Sequence, residues 1–274
     1  MRKKILLIYT GGTIGMNRSE HGYAPEQGFL QKILEQIPLL YNDAMPLWEL
    51  FEMDPLLDSS NMTVNEWNLI GSVIRDNYDS FDGFVILHGT DTMAYTASAL
   101  SFSLENLAKP VIITGSQIPL FEVRNDGLDN LLTSMIIAAE GRVNEVALCF
   151  SDKLLRGNRA TKVSTSDLLA FSSPNYPELA KIGTSILYNS MIPPRRADKP
   201  FRVQTLGNVP IGIIKVFPGI QFRLFEEIMT DSLKGIVLET FGAGNIPGNA
   251  DAILPIVRKA YENGTVLVIC SQCL

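Results

Sequence analysis

One pattern constrains this chain more than any other: short, uninterrupted runs of Val, Ile and Leu, each followed by a longer amphipathic stretch. The runs cover residues 4–9, 84–87, 111–114, 146–150, 211–216, 236–238 and 265–269. None alternates apolar with polar residues, so each is a strand covered on both faces, and such strands occur in parallel sheets flanked by helices. Helices fit the intervals. Thr63-Val64-Asn65-Glu66 forms a capping-box pattern ahead of Trp67, Ile70 and Ile74 at helical spacing, and 92 onward and 126–140 are helical too. The predicted class is α/β, a mostly parallel sheet flanked by helices.

With 274 residues, 46% hydrophobic and 19% charged, the chain has enough apolar material for a sizeable core and lacks the profile of disorder. Pro193-Pro194-Arg195-Arg196-Ala197-Asp198-Lys199-Pro200 is polar, proline-rich and patternless, the composition of a linker. It divides the chain into a larger N-terminal domain (1–190), a linker (191–205) and a smaller C-terminal α/β domain (206–274). The latter is predicted as strand 210–216, helix 221–230, strand 235–240, helix 250–262 and strand 265–270. Its parallel sheet reads as incomplete, since a sheet covered on one side leaves apolar surface exposed.

Against 23 Lys+Arg stand 29 Asp+Glu, and the net charge of −6 repels polyphosphate. The basic clusters, Arg2-Lys3-Lys4 and Arg195-Arg196, are two or three residues long, so nucleic acid is not an expected partner. Met1-Arg2-Lys3-Lys4 and the apolar residues 5–9 imitate a signal peptide, but the run stops at Thr10-Gly11-Gly12, short of the usual ~7–15 residues. No run approaches the ~18 residues of a membrane span. Cys149, Cys270 and Cys273 cannot supply a disulfide framework for a chain of this size. The expectation is a cytoplasmic protein without membrane association.

In an open parallel sheet, ligands bind beyond the carboxyl ends of the strands at a topological switch point. Three strand ends here are dense in glycine and hydroxyls: Thr10-Gly11-Gly12-Thr13-Ile14-Gly15, His88-Gly89-Thr90-Asp91-Thr92 and Thr114-Gly115-Ser116-Gln117. Singly, each is explained by turn and helix-cap chemistry; three at one edge of one sheet read as a site. Dinucleotide and P-loop spacings are absent from these loops. No G-x-S-x-G occurs, and only His21 and His88 could serve as an imidazole base. A hydroxyl nucleophile therefore needs another activator. Lys162, among small polar residues, is the alternative base if burial or a neighbouring charge lowers its pKa, and Asp91 is a candidate partner. Cys270-Ser271-Gln272-Cys273 has C-x-x-C spacing but no second ligand pair, so it reads as two small strand-end residues rather than a metal or redox site.

Tyr9-Thr10-Gly11-Gly12-Thr13-Ile14-Gly15 and Leu87-His88-Gly89-Thr90-Asp91-Thr92-Met93 resemble the two signatures of the bacterial-type L-asparaginase and glutaminase family, and within it the cytosolic type I enzymes. Similarity extends through Asp58-Ser59-Ser60-Asn61-Met62, Thr114-Gly115-Ser116-Gln117-Ile118-Pro119, Arg156-Gly157-Asn158-Arg159 with Lys162, and Phe241-Gly242-Ala243-Gly244-Asn245. The resemblance implies hydrolysis of L-asparagine to L-aspartate and ammonia, with no metal or organic cofactor. On the matched positions, Thr13 would be the nucleophile that forms an acyl-enzyme, and Tyr23 the tyrosine of a mobile loop that assists it. Thr90, Asp91 and Lys162 would handle the proton transfers. Asp58, Ser59, Ser60, Thr90, Asp91 and Gln117 would hold the substrate, with Asn245 bordering a neighbour's site in a homodimer or homotetramer.

Glu239 stands where members with a separate asparagine effector site carry arginine, while Cys273 is present. An acidic residue there does not pair with the effector's carboxylate, so weak or absent activation by asparagine is expected. Family members also continue for several helices and strands past the position of Leu274, so the sequence reads as a truncated form, a segment or a shortened relative. A glutaminase, or an amidotransferase subunit that releases ammonia, shares these signatures. The latter normally has an extra N-terminal domain, whereas the first strand here begins at Lys4. An amino-acid-binding sensor is the non-enzymatic alternative, and two threonines with Asp91, Lys162 and Tyr23 speak against it.

Overall fold

The computed structural model describes all residues except Met1, His21, Pro194, Arg196 and 248–252. The chain forms two compact units, 1–206 and 207–274.

At the centre of the first unit are five mutually parallel strands, Lys4–Gly11, Leu47–Leu57, Gly83–Leu87, Val111–Thr114 and Val146–Phe150. Counted in chain order they stand 2-1-3-4-5 across the sheet, so the direction of winding reverses between the first and the third. Register aligns that reversal: Tyr9 pairs with Leu87 and Leu87 with Thr114, which starts three loops from one line. Three antiparallel strands, Lys153–Arg156, Ala180–Ile182 and Ile186–Tyr188, complete an eight-stranded sheet. The chain turns straight back after Phe150 through Ser151 and Asp152, which leaves no room for a crossover helix and forces antiparallel pairing.

Both faces of the central strands are buried, as their unbroken apolar runs require. Ile5, Leu7, Tyr9, Val85 and Leu87 pack with helices Phe29–Glu35 and Gly127–Glu140. Leu6, Ile8, Phe84 and Ile86 pack with Val64–Asn77 and Met93–Ser103. The capping box of Val64–Asn77 is formed, with Asn65 N donating to Thr63 Oγ1 and Thr63 N to Glu66. Sequence patterning passed over Leu47–Leu57, because this edge strand mixes Glu and Asp with its apolar residues. It also passed over the short antiparallel strands and a hairpin of Met16–Ser19 with Gly22–Pro25.

Within the expected linker 191–205, the later residues lie on the first unit. Phe201 stacks on Tyr78 with ring centroids 3.8 Å apart, and Arg202–Val203 pairs with Leu104–Glu105.

The second unit has three parallel strands, Ile211–Lys215, Gly235–Thr240 and Val266–Ser271, with Ile214, Ile236 and Leu238 packed on helix Leu254–Glu262. The first residues of the expected helix 250–262 fall outside the described ones. The expected helix 221–230 is a correction: the segment holds only a 3-10 turn, Phe222–Phe225. Phe222, Phe225 and Met229 keep the i, i+3, i+7 spacing of a helix face and pack in the unit's core, and Leu224 and Ile228 face outward. Yet the backbone closes only this single turn: a segment of ten residues gains too little from its own hydrogen bonds to impose a helix. The opposite sheet face is open, with Ile211, Ile213, Val266 and Val268 each at least half exposed. Among the described residues, no helix is long and apolar enough to cross a membrane.

Candidate active site

Two glycines let the loops at the switch point touch. Gly12 has φ 86° and ψ 172°, a conformation nearly exclusive to glycine, and a Cβ there would lie 2.4 Å from Gly89 Cα and N. A Cβ at Gly89 would in turn lie 2.5 Å from Ser59 Oγ. The turn Thr13–Gly15 and the loop carrying Thr90 and Asp91 are thereby packed main chain to main chain, and the Ser59 side chain of the turn Ser59–Asn61 seats against the same loop at Gly89. Asp58 caps the last of these by accepting from Ser60 N at 2.9 Å.

Thr90 is 7% exposed. Its hydroxyl accepts from Lys162 Nζ at 2.8 Å and donates to Gln117 Oε1 at 3.3 Å, while Lys162 Nζ also meets Asp91 Oδ1 at 2.7 Å. Lys162 comes from the short strand Thr161–Lys162, paired with Phe171–Ser172. The Lys162 side chain is largely buried whereas Asp91 is 66% exposed, so the pair stays open to water on its carboxylate side. A cleft of about 470 Å³ opens beside it, lined by Asp91, Tyr95, Thr161 and Lys162 among others. Gln117 is aimed by its own backbone: its N–H and that of Ile118 both donate to the Asp126 carboxylate, at 2.9 and 3.0 Å.

The polar residues of these loops do more than turn the chain or cap a helix. Thr92 does not cap the following helix; its hydroxyl donates to Ser59 O at 2.7 Å and staples two loops together. His88 is no base. It is fully buried, and burial drives its pKa down to about 4. Trp67 Nε1 donates to Thr96 Oγ1, whose proton is then free for His88 Nε2, and the proton on Nδ1 donates to Gly89 O at 2.7 Å. A neutral imidazole thus props the Gly89 loop from beneath. Cys149 is equally inert, its thiol pushed up to about 12 by burial. His21 lies outside the described residues.

Tyr23 is 47% exposed on the hairpin after Thr13, with its hydroxyl donated to Glu122 at 2.9 Å. Asn245 lies in the second unit, in a turn closed by Phe241 N donating to Asn245 O at 2.9 Å. Glu239 there faces Lys215 at 3.8 Å. Thr13, Ser59, Ser60, Thr90, Asp91, Gln117 and Lys162 therefore share one edge of the first unit's sheet. Sequence patterning missed Arg18, Glu122 and Asp126 as contributors, because their partners lie elsewhere in the chain or bind through backbone N–H groups, and neither leaves a periodic signal. Among the described residues, no cluster of His, Cys, Asp and Glu could hold a metal ion.

Comparison with known proteins gives consistent matches. Residues 4–193 match the family model "Asparaginase, N-terminal", and 210–274 match "Glutaminase/Asparaginase C-terminal domain". The chain is 46% identical over 273 residues to L-asparaginase 1 of Escherichia coli K12, covering 100% of this chain and 80% of that one. It is 40% identical to an L-asparaginase of Dirofilaria immitis, covering 98% of this chain and 50% of the other. Its fold matches the crystal structure of L-asparaginase I from Vibrio cholerae with a TM-score of 0.93 at 45% identity, covering 100% of this chain and 82% of that one.

Proposed function

Since the chain belongs to the asparaginase family, we propose that it hydrolyses the side-chain amide of L-asparagine to L-aspartate and ammonia at the site formed by Thr13, Tyr23, Thr90, Asp91 and Lys162. One observation carries the assignment: the Gly12–Gly89 approach sets the Thr13 turn against the loop whose Thr90 hydroxyl lies 2.8 Å from Lys162.

Thr13 Oγ1 attacks the amide carbon, and its proton passes to the departing nitrogen through Tyr23. The C–N bond breaks, ammonia leaves, and an ester to Thr13 remains. Water then cleaves the ester, restoring the hydroxyl and releasing the new carboxylate. Thr90, Lys162 and Asp91 relay protons for the hydroxyl that reacts, a role histidine cannot fill here. Backbone N–H groups of Thr90 or its glycine-rich neighbours supply the donors for the oxyanion. Asp58, Ser59, Ser60 and Gln117 with Asp91 hold the substrate's α-amino and α-carboxylate groups. Residues 1–190 form the catalytic domain, 191–205 the link and 206–274 the smaller C-terminal α/β domain. The enzyme works in the cytoplasm as a homodimer or homotetramer, in which Asn245 borders the neighbour's site. Glu239, 3.8 Å from Lys215, sets a carboxylate where an effector's carboxylate needs a cation.

Ammonia release from asparagine and from glutamine tests the assignment. Release from asparagine that disappears in Thr13→Ala is expected; equal release from Thr13→Ala refutes it. The ratio of the two rates sets the amide preference, because a shape-based pocket separates one methylene by only roughly 10- to 200-fold.

A further inference from the structure

We propose that Glu122 is a positioning residue for Tyr23, clamping the hairpin that carries this tyrosine to the loop beside the Thr13 turn; the inference rests on the reading of Tyr23 as the nucleophile's assistant. Arg18 and Tyr23 are cross-strand partners in the hairpin, and both reach the same oxygen, Glu122 Oε1, at 2.7 and 2.9 Å. These two hydrogen bonds, Tyr23's first, hold the Glu122 carboxyl below its ordinary range and keep it ionised. An aromatic row backs the polar contact. Tyr23 and Phe121 have centroids 6.1 Å apart, and Phe121 meets Phe29 edge-on at 6.0 Å.

The loop that offers Glu122 is anchored independently of the hairpin. Glu122 N donates to Pro119 O, Asn125 Nδ2 to Glu122 O, and Leu120 N to Ile14 O at 3.1 Å, one residue beyond Thr13. Tyr23 is thus referenced to the nucleophile's own turn. The direction of the hydrogen bond matters chemically. With its proton donated to a carboxylate, the tyrosine oxygen keeps its lone pairs for an incoming hydroxyl proton. A half-exposed phenol without that acceptor would rotate and sample water instead. Misplacement of a catalytic group by about 1 Å lowers rates on the order of 100-fold.

The test is steady-state ammonia release from asparagine for the whole chain, Glu122→Ala and Glu122→Gln, each also in a Tyr23→Phe background, with thermal midpoints measured alongside. Glu122→Ala is expected to lower kcat on the order of 10- to 100-fold with little change in KM. Its midpoint should stay near that of the parent, since the side chain lies at the surface. Glu122→Gln, which still offers an oxygen to Tyr23, should recover most of kcat. In the Tyr23→Phe background, Glu122→Ala should cost no more than about twofold. Unchanged kcat in Glu122→Ala, an increase in kcat, or an undiminished loss in the Tyr23→Phe background each overturns the proposal. An inactive Thr13→Ala with an unaffected Glu122→Ala removes this proposal alone. Full activity in both Thr13→Ala and Tyr23→Phe removes the underlying site as well.

Discussion

A methyl group at Gly12 and one at Gly89 should damage the protein in different ways, although the two residues touch. At Gly12 the added Cβ meets main chain, Gly89 Cα and N at 2.4 Å, and the residue also sits at φ 86°, ψ 172°. Backbone strain there is on the order of 1–3 kcal/mol, and overpacking adds about 1–3 kcal/mol. The expected loss for Gly12→Ala is about 4 kcal/mol, or roughly 8–16 °C in midpoint for a unit of this size. At Gly89 the obstacle is a side chain, Ser59 Oγ at 2.5 Å and Cβ at 2.7 Å, and φ is not positive. Gly89→Ala should therefore lose only about 1–3 kcal/mol, and Ser59→Gly should relieve much of it. Thermal and urea unfolding of the single variants and of Gly89→Ala/Ser59→Gly read out the coupling as a double-mutant cycle. Stabilising coupling of about 1 kcal/mol or more between Gly89→Ala and Ser59→Gly is expected, with none between Gly12→Ala and Ser59→Gly. A Gly12→Ala variant with parental stability would refute the close approach of main chain at Gly12 and Gly89, and no coupling between Gly89→Ala and Ser59→Gly would refute the contact of Gly89 with the Ser59 side chain.

Lys162→Met and Thr13→Ala should each lower kcat at least about a thousandfold, as for members of one covalent unit; ammonia release near the parental rate in either contradicts the assignment. His88 supplies a pH dependence. Its folded pKa of about 4 lies below the ordinary 6.5, so the unfolded chain binds its proton first as pH falls. Its contribution is complete above about pH 6.5 and is lost toward pH 4, at most about 3 kcal/mol. Urea midpoints across that window should fall more steeply for the parent than for His88→Gln, and parallel curves would exclude a buried neutral imidazole. Glu145 and Arg156 form a bidentate pair at 2.6 and 3.0 Å with both side chains largely buried. Glu145→Ala should destabilise by about 3–5 kcal/mol through the uncompensated arginine, while Glu145→Leu/Arg156→Met should lose much less; equal losses in calorimetry would argue against the pair.

The chain's local patterns determined a good deal. Unbroken apolar runs such as 4–9 and 84–87 specified strands buried on both sides, and Thr63 with Glu66 specified a helix start that is formed as written. The hydroxyl- and glycine-rich ends of those runs marked where chemistry sits, because parallel sheets open their ligand sites at strand C-termini. What periodicity could not supply was anything whose signal is not local. Leu47–Leu57 is a strand because an edge position pairs it with the first strand, not because its own residues form an apolar run. The segment 221–230 has helical composition yet is pinned at Phe222 and Met229 by the unit it packs in.

The site divides along the same line. Thr13, Thr90 and Asp91 announce themselves within a few residues of a strand end. That Lys162 reaches Asp91 across 71 positions, or that Glu122 reaches Tyr23 across 99, was decided by strand order and register. Those are fixed by the free energy of closing the whole sheet, to which each of these residues contributes almost nothing. A sequence states its periods and its caps locally, whereas which distant side chains become neighbours is a property of the packed sheet alone.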